Sequence, residues 1–202
     1  MRWPLGVVSV VYGGLPIEEA ALLAKQQGFD HIDVSGDVPS ELALPIGDRF
    51  APRPTAGCST GPLAADRRSF EKTVADFAGV PNCCIEPWVG GAVGSNETTL
   101  EILREVPGLK LLLDVGHVTA WGGDVIELLP HASHIQLRQA RIGESQARDG
   151  DVDFAAIFDE LDRLGYRGRL SVEYFDLPDR GWPFDDPVGA ALETAEKIRA
   201  LL

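Results

Sequence analysis

Four short apolar runs in this chain each end in a side chain able to offer oxygen to a cation. They are Cys83-Cys84-Ile85-Glu86, Leu111-Leu112-Leu113-Asp114, His134-Ile135-Gln136 and Leu170-Ser171-Val172-Glu173. Each reads as a buried strand followed by a Gly- or Pro-bearing loop and a helical stretch. Strands that alternate with helices imply a parallel sheet, so the four tips are expected on its C-terminal edge. Two glutamates, an aspartate and an amide carbonyl gathered there make a donor set for a hard divalent cation, Mn²⁺ or Mg²⁺ ahead of Zn²⁺. The pattern points to an enzyme.

The elements that must hold these tips run along the whole chain. Leu5 to Tyr12 reads as a first strand. After Gly13-Gly14 a helix opens at Pro16, with Glu18 and Glu19 in its first turn to suit the helix dipole, and it closes at Gly28. Phe29 to Ser35 is the second expected strand and Leu42 to Ile46 the third. Asp66 to Gly79 is helical, and a helix through Glu105 separates the Cys83 and Leu111 runs. A loop around Trp121 and a short helix from Asp124 to Leu129 lead to the His134 run. Asp153 caps a helix from Phe154 to Leu164, Arg169 to Phe175 is the last strand, and Pro187 to Leu202 closes the chain as a helix. The fold expected is α/β: a TIM-type (β/α) barrel of about seven parallel strands in one domain over 1–202. The usual barrel has eight units. Between Gly61 and Cys83 there is room for one helix only, so one β/α unit is missing. An open doubly wound sheet is disfavoured, because no G-x-G-x-x-G follows the first strand.

Composition narrows the partners. The chain has 202 residues, 45% of them hydrophobic and 24% charged, as in an ordinary soluble globular protein. A formal net charge of −13 argues against nucleic acid or an anionic membrane as the main partner. No run approaches the roughly 20 apolar residues of a membrane span. Cys58, Cys83 and Cys84 form no disulfide pattern, and Met1 to Tyr12 reads as a strand and not a signal peptide, so a reducing cytoplasm is expected. The edges of an incomplete barrel suggest a homodimer.

At LDVGH (Leu113 to His117), HIQL (His134 to Leu137), GDVDFAAIFDELDRLGYRG (Gly150 to Gly168) and SVEY (Ser171 to Tyr174) the chain resembles the xylose isomerase-like barrel superfamily of sugar isomerases and epimerases. The resemblance covers most of the chain from Cys83 onward and the first strand-helix-strand. It implies one divalent ion bound by Glu86, Asp114, Gln136 and Glu173. Glutamine at the third of these positions is similar to the hydroxypyruvate isomerase branch, although Ala140 to Arg148 stands where that branch carries a proline-rich loop. The resemblance further implies that Glu86 and Glu173 are the acid and base.

Proton transfer between adjacent carbons of a hydroxy-ketone or aldehyde needs a polarised carbonyl, a base and an acid. Two glutamates flanking the substrate can supply the last two, and a cation stabilises the enediolate. Around them, His117 is expected to bind a substrate hydroxyl or orient a ligand. Trp88 and Trp121 wall the site or pack over its mouth. Arg138 and Arg141 clamp an anionic group, and Asp33 lines the pocket or bonds to backbone. His134 is expected in the core, and His31 and His131 in solvent. The function read from this set is a divalent-metal-dependent isomerase or epimerase of a small sugar or hydroxy-keto substrate. A dehydratase on the same metal site is the alternative, as is an inactive barrel serving as a binding or assembly protein.

Overall fold

The computed structural model describes residues 3–35, 39, 41–50, 66–80 and 83–202. Its strands are β1 (Leu5–Val8), β2 (Ile32–Ser35), β3 (Ile46–Phe50), β4 (Cys84–Ile85), β5 (Lys110–Asp114), β6 (Ala132–Leu137) and β7 (Arg169–Val172). The helices are α1 (Ile17–Gln26), α2 (Arg67–Phe77), α3 (Asn96–Glu105), α4 (Val115–Ala120), α5 (Val125–Leu128), α6 (Phe154–Leu164) and α7 (Pro187–Arg199). The sheet has seven strands in the order β3-β2-β1-β7-β6-β5-β4. The β1–β2, β1–β7, β2–β3 and β4–β5 pairs are all parallel. Among the described residues only α2 lies between β3 and β4, which accounts for the count stopping one short of eight.

Three sequence expectations shift. β1 ends at Val8, and Ser9–Tyr12 winds into a 3₁₀ turn that closes at Gly13 with φ +61°. The turn carries Tyr12 to α1, where its hydroxyl donates to Gln27 Oε1 at 2.7 Å, and burial pushes the phenol's pKa upward. The third strand runs over Ile46–Phe50, beyond the expected Leu42 to Ile46. A helix, α4, begins directly after β5 where a loop was expected, for a reason that belongs to the site below. Cys58 lies outside the described residues.

The chain divides into two compact units. The first comprises Met1–Pro52, Gln136–Arg138 and Arg169–Leu202. Here Arg199, at the end of α7, donates to the carbonyls of Gln27 and Gly28 and stacks 5.2 Å from the Phe29 ring, tying the closing helix to the end of α1. The second unit comprises Arg53–Ile135 and Gln139–Gly168. Its helices start on side-chain caps: Asp66 accepts from Ser69 N, Ser95 and Thr98 form a capping box, and Asp153 accepts from Ala156 N. No described helix is long and apolar enough to cross a membrane.

Candidate functional site

In the second unit, three potential ligand residues come together. Asp114 is the last residue of β5 and also the N-cap of α4. Its Oδ1 accepts from Gly116 N at 2.8 Å and from His117 N at 3.3 Å. Val115-Gly116-His117-Val118-Thr119 contains two β-branched valines, a threonine and a glycine, all poor helix formers, so this cap drives the helix where propensity does not. The turn returns the His117 imidazole towards its own cap, with Nε2 3.9 Å from Asp114 Oδ2 and 4.0 Å from Glu86 Oε1. One ligand atom from each of Glu86, Asp114 and His117 lies within 4.8 Å of the others. Asp114 and His117 are buried, whereas the Glu86 side chain is 33% exposed, so the group opens to solvent past Glu86.

Two carboxylates this close repel one another unless a positive charge joins them. An imidazole beside them adds a nitrogen donor, and the mixed oxygen–nitrogen set fits a divalent first-row cation. Two residues on from Glu86, the half-buried Trp88 indole covers Gly91, where a Cβ would lie 2.7 Å from its Nε1. Trp121 is held as a packing residue: its Nε1 donates to Asn96 Oδ1 at 3.1 Å, and Asn96 Nδ2 donates to Asp124 O and Glu127 Oε2.

The other expected residues form a second group, in the first unit. Gln136 is the last but one residue of β6, Arg138 follows the strand's final residue Leu137, and Glu173 follows β7. Arg138 is wholly buried, and its Nη1 donates to Glu173 Oε2 at 2.6 Å. Gln136 Nε2 is 3.5 Å from the other carboxylate oxygen. The Gln136 carbonyl, Oε1, is buried and meets no hydrogen-bond donor among the described residues. An acceptor in that position is costly unless a hydroxyl, an ammonium or a cation reaches it. The Arg138 guanidinium also sits 5.0 Å from the Phe175 ring, which packs on Trp182. Phe175 is the residue sequence reading missed. Alternation from Glu173 was its signal, since positions 173 and 175 share a face of an extended segment.

Lower in the same unit, Asp33 is fully buried with Oδ1 3.8 Å from His31 Nε2. The His31 ring bonds Ser171 Oγ at 3.1 Å. His31 was expected in solvent and instead fills the space left by two glycines. A Cβ on Gly6 or on Gly47 would lie 2.2 Å or 2.1 Å from the ring. His134 is buried, as expected, and His131 is exposed. Arg141 is exposed and bonds within its own loop, to the Asp149 carbonyl and to Glu144. That loop is pinned from below by Gln139, whose amide pairs with both Val152 O (3.1 Å) and Val152 N (3.2 Å).

Residues 66–201 match the family model described as xylose isomerase-like TIM barrel. The chain belongs to this family. A Xenopus laevis protein named "Putative hydroxypyruvate isomerase" is 33% identical over 79 residues, which span 36% of this chain and 29% of that protein. Among solved structures, an L-ribulose 3-epimerase superposes with a TM-score of 0.72 at 18% identity, covering 99% of this chain and 94% of that one. An AP endonuclease, family 2, from Brucella melitensis superposes with a TM-score of 0.64 at 14% identity, covering 97% and 98%. At such identities these structures speak for the fold alone, and the fold is a TIM-type barrel lacking one unit, with seven parallel strands. The choice among chemistries rests on the site.

Proposed function

We propose that this family member is a divalent-metal-dependent isomerase or epimerase of a small sugar or hydroxy-keto substrate. The observation that carries the reading is the Glu86–Asp114–His117 group, with ligand atoms within 4.8 Å of one another. The hydroxypyruvate isomerase name of one relative supports the same class.

Glu86 and Asp114 would hold the ion, with His117 next to these two carboxylates, and Gln136 and Glu173 are the further ligands that the family resemblance implies. When bound, a divalent ion lowers the cost of negative charge on the substrate oxygens. Glu86 and Glu173 take the roles of base and acid. One carboxylate removes the proton from the carbon beside the carbonyl and the pair of electrons moves to the carbonyl oxygen; the other glutamate, in its protonated form, then gives its proton to the opposite face of that carbon in epimerisation, or, once the hydroxyl proton has passed to the former carbonyl oxygen, to the neighbouring carbon in isomerisation. Partial exposure gives Glu86 the access to substrate that this role needs. Trp88 walls the opening and His117 binds a substrate hydroxyl. Arg141, spent on its own exposed loop, is given no substrate contact.

The test is incorporation of deuterium. Protein loaded with Mn²⁺ and incubated in D₂O with L-ribulose, D-allulose or hydroxypyruvate should label the carbon next to the carbonyl, read by NMR or mass spectrometry. Glu86→Gln should slow labelling by about 10² to 10⁴, the usual contribution of general acid–base catalysis. Wild-type protein that holds Mn²⁺ and labels no member of a panel of ketoses and hydroxy-keto acids would refute the reading.

A further inference from the structure

Ile142 stands at the tip of a tight turn with 78% of its surface exposed, more than any other large hydrophobic side chain among the described residues. The turn is firmly held. Arg141 N donates to Glu144 O and Glu144 N to Arg141 O, Gly143 takes φ +83°, and Gly143 N donates to Ala120 O, at the end of α4, at 2.9 Å. A β-branched aliphatic is an unusual residue for such a tip, which Gly, Asn, Asp, Pro and Ser suit best. Beside it runs a groove of about 330 Å³, lined wholly by residues of the second unit. Val125 and Ile126 of α5 and Ile157 of α6 make it apolar, and Ile142 borders it. Its polar lining includes Asp124, Asp151 and Asp153, and no basic residue. Asp124 and Asp153 each give one oxygen to a helix cap, whereas Asp151 is exposed and its carboxylate is bonded to no described residue.

An occupant that suits this groove brings an aliphatic side chain and a positive charge together. The chain carries that pair at the groove's own border, in Arg141 and Ile142. Arg141 is half exposed and bonds within its loop, to the Asp149 carbonyl and to an equally exposed Glu144, an ion pair too solvated to hold it tightly. In a two-fold contact one patch meets itself, so knob and hollow must lie side by side on the same copy. Here they do. We propose that this surface joins two copies of the chain, each inserting Ile142 into the other's groove and setting Arg141 against the partner's Asp151. Two chains of net charge −13 repel at long range, but at physiological ionic strength that repulsion is screened beyond about 8 Å, while the Arg–Asp pairs act at contact. The patch is small, so the dimer dissociates at about micromolar concentration. Nothing in the contact depends on a bound metal.

The experiment is sedimentation equilibrium of the full chain from about 1 to about 100 µM in about 0.15 M salt. Wild type should pass from monomer to dimer over that range. Ile142→Asp should stay monomeric, with the circular dichroism and melting temperature of wild type, as befits so exposed a position. Arg141→Glu and Asp151→Arg should each weaken the dimer by at least about tenfold, because each sets like charges together twice across the two-fold axis. Mixed in equal amounts, these two variants should pair with about wild-type affinity, since both contacts between them again join opposite charges. An effect confined to one chain cannot produce that rescue. Wild type that remains monomeric at the highest concentration overturns the dimer. A wild-type dimer that Ile142→Asp leaves intact overturns this surface, as do charge variants that fail to rescue one another.

Discussion

Asp114 does two jobs with one carboxylate, and the two can be separated by substitution. Oδ1 caps α4 through the amides of Gly116 and His117, and Oδ2 faces the His117 imidazole. Both amides belong to buried residues, so water does not replace the acceptor if it is removed. Leaving a buried donor without a partner costs about 1–3 kcal/mol, and deleting an N-cap costs about 0.5–2 kcal/mol. The second amide is held by the longer bond and adds less. Asp114→Ala should therefore lose about 2–3 kcal/mol in urea unfolding, or about 4–12 °C in melting temperature for a domain of this size. Asn caps helices as well as Asp does, so Asp114→Asn should stay within about 1 kcal/mol of wild type. Its missing charge should nonetheless weaken Mn²⁺ by at least about tenfold in isothermal titration. The reasoning is refuted if Asn costs as much stability as Ala, since the carboxylate charge and not the cap would then be what matters. It is refuted equally if Asp114→Asn binds Mn²⁺ like wild type.

Two further outcomes follow from packing. Gly6→Ala would set a methyl 2.2 Å from the His31 ring, which Gly47 and Ser171 confine from other strands. Overpacking of this kind costs about 1–3 kcal/mol, so urea melts should shift by that amount, and adding His31→Ala should recover part of it; a Gly6→Ala protein as stable as wild type would disprove the contact. Gln139→Ala removes both bonds to the Val152 backbone, at about 1 kcal/mol net each. Hydrogen exchange at Val152 and protease cleavage within 140–150 should both quicken, and unchanged protection would mean that Gln139 does not pin the loop.

The strand tips were legible because an apolar run that stops at an acid is a local pattern, and period-two alternation survives in sequence. What escaped reading depends on partners far along the chain. α4 has few good helix formers, and only the three-dimensional aim of the Asp114 carboxylate accounts for it. The position of β3 is tied to Gly47, whose missing side chain makes room for the imidazole of His31, the residue just before β2. His31 looked like a strand-edge residue because neither glycine that houses it is its neighbour in sequence. Arg138 read as a clamp for an outside anion, since the 35 positions separating it from Glu173 hide an internal one.

The first unit also explains why these polar residues are tolerated inside. Along β7 and the three residues that follow it, Leu170, Val172 and Tyr174 alternate with Ser171, Glu173 and Phe175. Tyr174 bonds Thr194 on α7, which fixes its parity as the helix-facing one. The opposite parity meets His31 at Ser171, Gln136 and Arg138 at Glu173, and Arg138 again at Phe175. Charge is thus stacked between a hydroxyl–imidazole pair and an aromatic ring. Such a column costs stability that aliphatic residues of the same volume would not, because every buried charge must be desolvated before it is paired. A chain that breaks its own apolar pattern at successive inward positions, and spends a fully buried arginine to do it, is conserving the orientation of one carboxylate at the expense of its core. Arg138→Met/Glu173→Gln should accordingly unfold at a urea concentration no lower than wild type, while either single substitution, leaving one partner unmatched, unfolds earlier; the opposite order would mean that the pair serves the fold and not the site.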